Sequence, residues 1–150
     1  MGETAGQRGT RYERELVNAL RQSSYGALRF PASGSATTRS VPDILAAQPV
    51  NDLTSLWGIE LKSGKSTTLY VEGAEVSKLR AFTGRWGAQT FLAARFTTQA
   101  TDRSHWLVEP DNARETEGGN YGLPIEDIEQ RATYRVIPAS KNERATVVEL

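Results

Sequence analysis

The chain contains no cysteine, which excludes disulfide bonds, thiolate catalysis and zinc sites with cysteine ligands. No apolar run reaches the roughly eighteen residues that a membrane-spanning helix needs. Residues 1–9 lack the apolar block of a signal peptide. We therefore expect a cytoplasmic protein without a membrane-bound part. The single histidine, His105, begins an apolar run, which favours a strand-edge residue over a general base.

The chain also lacks an excess of charge of either sign, because 18 basic residues balance 18 acidic ones. The charges are nevertheless unevenly distributed. Residues 1–42 carry six arginines and three acidic residues, a net charge of +3, whereas 105–150 carry a net charge of −4. A basic N-terminal third on a neutral chain indicates one face that binds phosphate. A mildly uneven solvated surface is the alternative.

The length and the apolar pattern predict that all 150 residues form one α/β domain, with a central mixed β-sheet flanked by helices. Helical periodicity begins at Thr10 and recurs from Gly73 to Trp86. Short apolar runs predict strands at residues 25–30, 44–47, 57–62, 89–96, 105–109 and 134–137. We expect a flexible segment at 1–9, a turn at 48–55 and a loose tail at 138–150.

The rest of the chain is organised around Asp43 and the pair Glu60 and Lys62. Asp43 stands at the start of one apolar run, whereas Glu60 and Lys62 lie inside another. Side chains of a strand alternate between its faces, so Glu60 and Lys62 share one face, and Trp57 and Ile59 share the other. If the two runs pair as neighbouring strands, about 4.8 Å apart, two carboxylates and one ammonium group converge.

This convergence has a chemical consequence. Two carboxylates at close range repel each other unless a cation or a proton lies between them. Mg²⁺ binds such oxygens together with several water molecules, and a nearby lysine can hold a phosphate or help to deprotonate a water. The constellation suits metal-assisted hydrolysis of phosphodiesters. An edge strand with solvated charges is the alternative, because Asp followed later by Glu-x-Lys is a short and frequent pattern.

A third acidic residue lies on the first predicted helix. Glu13 has helical spacing with Leu16, Val17 and Leu20, so it projects near the buried face. Thr10 and Glu13 also have the spacing of a capping box, which accounts for the glutamate without any function. The alternative is a third carboxylate directed at the metal site.

Two neighbouring features have two interpretations each. Residues 31–40 form a predicted loop of small and hydroxyl residues next to Asp43. This loop either closes over a DNA backbone or is a plain connection. Phe82 and Trp86, four residues apart on the second helix, form an aromatic ridge that either packs in the core or offers a surface to a partner.

Several segments resemble the archaeal-type Holliday junction resolvases in order and spacing. The matching segments are residues 7–17, 29–35, 42–44, 59–62 and 69–71, then the helix with Phe82 and Trp86. Residues 116–121 also resemble a segment of some members, whereas the last 25 residues match weakly. The combination is far more specific than the pattern of Asp43, Glu60 and Lys62 alone.

This resemblance implies a nuclease of the restriction-endonuclease-like, or PD-(D/E)xK, superfamily that acts as a homodimer on four-way DNA junctions. It implies that Asp43, Glu60 and the backbone carbonyl of Leu61 bind Mg²⁺, for which Mn²⁺ would substitute. Lys62 resembles the lysine of the motif. Glu13 resembles the helix-borne catalytic glutamate of the family, which contacts the metal directly or through water.

By the same resemblance, basic and hydroxyl residues are expected to bind DNA, and two aromatic residues to form the dimer interface. The expected DNA-binding residues are Arg8, Arg11, Arg14, Arg29, Ser33, Ser35 and Arg39. The expected interface residues are Phe82 and Trp86, and the tryptophan departs from the family, which usually has two phenylalanines. Two alternatives remain open: another endonuclease or nickase of the superfamily, and a DNA-binding module without catalysis.

Overall fold

The computed structural model describes residues 2–31, 41–50, 53–98 and 103–150. The helices are α1 (Ala5–Gln22), α2 (Gly73–Trp86) and α3 (Ile128–Arg131). The strands are β1 (Gly26–Arg29), β2 (Ile44–Val50), β3 (Leu53–Gly64), β4 (Thr68–Val71), β5 (Gln89–Phe96), β6 (His105–Val108), β7 (Arg114–Glu115), β8 (Tyr121–Pro124), β9 (Tyr134–Ile137) and β10 (Thr146–Glu149). Within these residues, no helix is long and apolar enough to cross a membrane.

The central element is a seven-stranded mixed sheet with the order β1-β2-β3-β5-β6-β9-β10. Strands β3 and β5 are parallel, and α2 lies between them in sequence, whereas the other neighbours are antiparallel. The predicted α/β fold with a mixed sheet is confirmed. A second sheet with the order β4-β8-β7 was not predicted, because its strands are at most four residues long and lie among turn signals.

Helix α1 covers one face of the large sheet. Its buried residues are Tyr12, Leu16, Val17, Ala19 and Leu20. They pack against the β3 residues Trp57, Ile59 and Leu61 and against neighbouring strands. Each of these three β3 side chains is at least 92% buried, so the predicted division of β3 into an apolar and a polar face is confirmed.

Helix α2 and the smaller sheet cover the opposite face, in a second core that includes Val76, Leu79 and Leu92. The helix approaches β3 closely at Gly58, where a Cβ atom would lie 2.5 Å from Cγ2 of Thr83. Only glycine therefore permits this distance between helix and strand. The second core brings the first turn of α2 to the polar face of β3.

The first helix begins earlier than the sequence predicts. Thr4 is its N-cap, and Thr4 and Gln7 form a reciprocal capping box. Ala5 to Gly9, which were predicted to be flexible, are helical because Thr4 and Gln7 satisfy the free N–H groups of the first turn. The predicted capping box of Thr10 and Glu13 is wrong, since both residues lie inside the helix.

Two further boundaries differ from the prediction. The strands on either side of the predicted turn at 48–55 extend further, because β2 continues to Val50 and β3 begins at Leu53. The tail predicted to be loose at 138–150 contains β10, which pairs with β9 at the edge of the sheet. Val147 packs against the first core, and this burial holds the strand.

Candidate active site

The register of β2 and β3 places Asp43 beside Glu60. The two strands are antiparallel, with Ile44 opposite Ile59, so Asp43, just before β2, comes next to Glu60, which follows Ile59 on β3. The carboxylate oxygen Oδ2 of Asp43 accepts a hydrogen bond of 2.8 Å from the backbone N–H of Leu61. The structure thus fixes Asp43 against the middle of the neighbouring strand, with its carboxyl group next to that of Glu60.

The carboxyl groups of Asp43 and Glu60 are buried next to each other, and their charged forms are disfavoured. Burial raises the pKa of Asp43 and that of Glu60, and the negative charge of Glu75 raises both further. The N–H of Leu61 and the ammonium group of Lys62 act in the opposite direction on Asp43 and favour its charged form. The charge of Asp43 is a further cause of the raised pKa of Glu60. A cation between two adjacent carboxyl groups would stabilise their charged forms.

Lys62 lies on the same face as Glu60 and is bound by a residue from another element. Its Nζ donates a hydrogen bond of 3.2 Å to Oε1 of Glu75, on the first turn of α2, and lies 3.0 Å from Oε2. Burial lowers the pKa of Lys62, but the hydrogen bond and the charge of Glu75 outweigh this effect and raise it. Lys62 is therefore a charged ammonium group.

Glu13 approaches the same site from α1. Its side chain is 18% exposed, and its Oε1 accepts a hydrogen bond of 2.9 Å from Nε of Arg29. Burial and the charge of Asp43 raise the pKa of Glu13, against the hydrogen bond from Arg29. The structure thus brings Glu13 into electrostatic contact with Asp43, as a third carboxylate rather than a helix cap.

A basic cleft lies between the first turns of α1 and the end of β3. Its volume is about 490 Å³. Its lining residues are Ala5, Arg8, Arg11, Tyr12, Ser63, Gly64, Lys65 and Thr97. Three of them are cationic and none is acidic, although Arg11 also lies 3.1 Å from Glu3. Arg14 is exposed on the same helix.

The two expected interface aromatics stack on α2. The rings of Phe82 and Trp86 are 5.9 Å apart, and Phe82 also meets Phe30 edge to face at 6.1 Å. Trp86 is 58% exposed. The ridge is therefore a surface feature with one partly covered ring, and not part of either core.

The other predicted residues fall into two groups. Ser33, Ser35 and Arg39 lie outside the residues that the structure describes. Arg29 lies at the site, where its guanidinium group binds Glu13 and its Nη2 lies 3.4 Å from Oγ1 of Thr10.

Two residues that the sequence did not predict also lie here: Glu75 beside Lys62 and Lys65 in the basic cleft. An acidic residue in the first turn of a helix normally indicates only a favourable interaction with the helix dipole. The one sequence signal for a role of Glu75 is its position on the helix between the parallel strands β3 and β5. This helix has to pass over the polar face of β3.

A separate buried ion network ties α1 to β5 and β6. Oε1 of Glu15 accepts hydrogen bonds of 2.9 Å from Nε of Arg95 and 2.7 Å from Nε2 of His105. Burial acts to raise the pKa of Glu15, but these hydrogen bonds lower it to about 2. His105 is fully buried, which lowers its pKa. Burial thus disfavours the charged form of the histidine, whose ring ties β6 to α1 through Glu15.

The oxygen atoms of Asp43 and Glu60 are the candidate ligands for a metal ion. Among the described residues, no three His, Cys, Asp or Glu side chains are grouped so that they hold a metal by themselves. Mg²⁺ keeps several waters and commonly binds through one or two carboxylates. The adjacent carboxyl groups of Asp43 and Glu60, whose mutual repulsion raises the pKa of Glu60, fit this requirement.

Comparison with known proteins gives a consistent family. The model of the family described as archaeal Holliday junction resolvase (Hjc) matches residues 4–142. A relative from Sulfurisphaera tokodaii, named crossover junction endodeoxyribonuclease Hjc, is 34% identical over 124 residues, which cover 82% of this chain and 80% of the relative. A relative of the same name from Archaeoglobus fulgidus is 32% identical over 116 residues, 77% and 78% of the two chains.

A solved structure has the same fold. It is that of Archaeoglobus fulgidus Hjc, described as a Holliday junction resolvase from an archaeal hyperthermophile. The TM-score is 0.68 at 24% identity, and the match covers 81% of this chain and 93% of the other. The restriction-endonuclease-like fold that the resemblance implied is thereby confirmed.

Proposed function

Because this chain belongs to the archaeal Holliday junction resolvase (Hjc) family, we propose that it cuts four-way DNA junctions by hydrolysing phosphodiester bonds. The observation that carries the proposal is the convergence of Asp43, Glu60 and Lys62 at one end of the β2–β3 pair, with Glu13 beside them. The curated relatives are endodeoxyribonucleases by name, and the paired carboxyl groups supply the chemistry that such an activity requires.

Asp43 and Glu60 are the residues that would hold Mg²⁺, with Mn²⁺ as a substitute. The carbonyl of Leu61 is a third candidate donor, since the N–H and C=O groups of one strand residue point to the same side and the N–H of Leu61 points to Asp43. When bound, such an ion lowers the pKa of a coordinated water and stabilises charge on the phosphate.

The chain's own residues then have distinct tasks. Lys62 carries a positive charge beside the carboxyl pair, where it stabilises the charge that develops on the phosphate oxygens. Glu13, held by Arg29, would orient the attacking water or contact the ion through water. The hydrogen bond from Leu61 keeps Asp43 in place while these groups act.

DNA is proposed to be held through its backbone. Arg8, Arg11 and Lys65 line the basic cleft next to the end of β3, where they offer three positive charges to the phosphates of a DNA strand. Contacts to phosphates fix position without reading sequence. Specificity for a junction would then come from the shape of the branch. Such an activity fits a cytoplasmic location.

A homodimer is the proposed working form. Resolution of a junction requires nicks in two strands of like polarity, and one chain offers one set of Asp43, Glu60 and Lys62. A two-fold dimer presents two such sets to a nearly two-fold substrate. The exposed Trp86 on its stacked partner Phe82 offers an interface, because aromatic residues are enriched in interface cores.

The test compares one synthetic four-way junction with a linear duplex that contains the same sequences, each with Mg²⁺ and with EDTA. We expect cutting of the junction alone, and only with Mg²⁺. Equal cutting of the duplex would favour another endonuclease or nickase of the superfamily. Junction binding without cutting in Mg²⁺ would favour a non-catalytic DNA-binding module.

A further inference from the structure

The first turn of α2 contributes a residue to the site that has no role in the reaction proposed above. Both carboxylate oxygens of Glu75 lie within 3.2 Å of Nζ of Lys62. The Oε2 atom is closed off from solvent and has no hydrogen bond within the described residues, so its interaction with the ammonium group is one of charge. We infer that Glu75 is a positioning residue that holds Lys62 beside the Asp43 and Glu60 pair.

The need for such a residue follows from the chemistry of lysine. Its ammonium group is a compact charge on a flexible stem of four carbons. Lys62 shares a strand face with Glu60. Its positive charge lies close enough to oppose the rise in the pKa of both Asp43 and Glu60. Without another partner, the ammonium group would fold onto the carboxyl pair and take the place proposed for the metal ion. Glu75 draws it aside while keeping it near the reacting phosphate.

The position of Glu75 is itself fixed by a distant part of the chain. Helix α2 has no side-chain cap of its own. Instead, Oδ1 of Asn120 accepts a hydrogen bond of 3.1 Å from the backbone N–H of Gly73. Gly73 lies so close to the turn before β8 that a Cβ atom would stand 2.4 Å from the carbonyl oxygen of Gly119. The turn therefore sets where the first turn of α2 lies.

Hydrogen bonds within the turn before β8 fix its conformation. Thr116 binds Asn120 twice, because its Oγ1 accepts a 3.1 Å hydrogen bond from the backbone N–H of Asn120 and its own N–H donates to the Asn120 carbonyl at 2.8 Å. The N–H of Gly119 also donates to the carbonyl of Thr116 at 3.0 Å. The segment from Thr116 to Asn120 thus fixes the position of Gly73. Gly73 in turn fixes the first turn of α2, which carries Glu75 to Lys62.

A favourable interaction of Glu75 with the helix dipole is the competing explanation, and α2 offers a matched control for it. Glu72 lies three residues earlier, is exposed and makes no side-chain cap. Glu72→Gln and Glu75→Gln remove the same charge from the same helix end. Only the second removes the charge that faces Lys62.

The first measurement requires neither DNA nor metal. Side-chain ¹⁵N spectra detect the ammonium group of Lys62, which is assigned as the signal lost in Lys62→Met. We expect Glu75→Gln to shift and broaden this signal, and Glu72→Gln to leave it unchanged. Asn120→Ala, which frees the first turn of α2 without a change of charge, should cause a smaller shift. A signal that is identical in wild type and Glu75→Gln would overturn the inference.

The second measurement rests on the proposed function and separates rate from affinity. At saturating protein, Glu75→Gln should reduce the single-turnover cleavage rate about 10- to 100-fold, as expected when a reacting group is misplaced by about 1 Å. Its junction affinity in Ca²⁺ and its melting temperature should stay near those of Glu72→Gln. Equal rates in the two variants would overturn the inference. A wild type that never cuts would refute the proposed function while the spectra still test the ion pair.

Discussion

Oδ2 of Asp43 accepts a 2.8 Å hydrogen bond from the backbone N–H of Leu61. An aspartate that precedes β2 is thereby fixed to the strand that carries Glu60 and Lys62. The bond needs an acceptor but not a negative charge. A substitution of Asp43 can therefore remove the negative charge while the side chain keeps its position.

Asp43→Asn keeps an acceptor for Leu61 and removes the charge. We expect cutting to fall by about 10²–10³-fold or more, which is the usual loss when a group that stabilises charge in the reaction is removed. Junction binding should be kept or tightened, because repulsion with Glu60 and with the phosphates is reduced. Glu60→Gln should behave alike. Single-turnover cleavage and gel-shift titration measure the two properties, and a wild-type rate in either variant would refute the assignment.

Glu13 should act in catalysis and not in helix stability. Since burial raises its pKa, the folded protein disfavours its charge, and Glu13→Gln should melt near the wild-type temperature while turnover falls by orders of magnitude. The real cap supplies the control, because Thr4→Ala should cost about 0.5–2 kcal/mol of stability and leave turnover nearly normal. Normal turnover in folded Glu13→Gln would show that its role is structural.

The Glu15 network should make stability depend on pH. The pKa of Glu15 is lowered from 4.5 to about 2 in the folded state, so its contribution is present above pH 4.5 and is lost as the pH falls toward 2. Glu15→Gln leaves Arg95, which is 6% exposed, without its counter-ion and should cost about 3–5 kcal/mol near neutral pH. The difference from wild type should shrink between pH 4.5 and 2.

Urea unfolding at several pH values measures this difference. Arg103 also contacts Glu15, but its side chain is 54% exposed, so Arg103→Gln is the control and should change stability little. A Glu15→Gln deficit that stays constant from pH 7 to pH 2 would contradict the account of this network.

Junction affinity should depend steeply on salt. Each phosphate contact contributes about 0.9 unit to the slope of log affinity against log salt for duplex DNA. Arg8→Ala and Lys65→Ala, in the basic cleft, should each reduce the slope by about that amount and weaken binding to different junction sequences alike. Arg144→Ala, between β9 and β10 and outside the cleft, should not. Unchanged slopes in the cleft variants would place the DNA elsewhere.

The proposed dimer should depend on the aromatic ridge. Trp86→Ala together with Phe82→Ala should shift the protein toward monomer in light scattering at micromolar concentration. On a cruciform plasmid, products should shift from linear to nicked circles, because two cuts then require two binding events. Tyr70→Ala is the control, since Tyr70 is 52% exposed but lies on β4 and not on α2. A wild-type monomer that still linearises the plasmid would refute the dimer.

Local patterns predicted the long elements and the core of the site. Alternation in β3 separated Trp57 and Ile59 from Glu60 and Lys62, and helical spacing directed Glu13 inward. These predictions needed only the periods of strand and helix. The helix start at Thr4 was missed because Thr10 and Glu13 offered the same spacing as the true capping box.

Contacts between distant segments were beyond such patterns. Glu75 meets Lys62 only because α2 crosses β3 at Gly58, and nothing near Gly73 shows that Asn120 caps its N–H. Strands β7, β8 and β10 are short, and their pairing depends on partners far away in sequence. Tertiary packing decides these features, so one sequence read locally does not contain a signal for them.

The most direct test of the central claim is a strand-by-strand cleavage map of a synthetic four-way junction, with each of the four strands labelled in turn. With Mg²⁺, the wild type should nick two strands of like polarity at related positions near the crossover, and Asp43→Asn should nick none while it still binds. Cuts spread over all four strands, cuts far from the crossover, or undiminished cutting by Asp43→Asn would contradict the account.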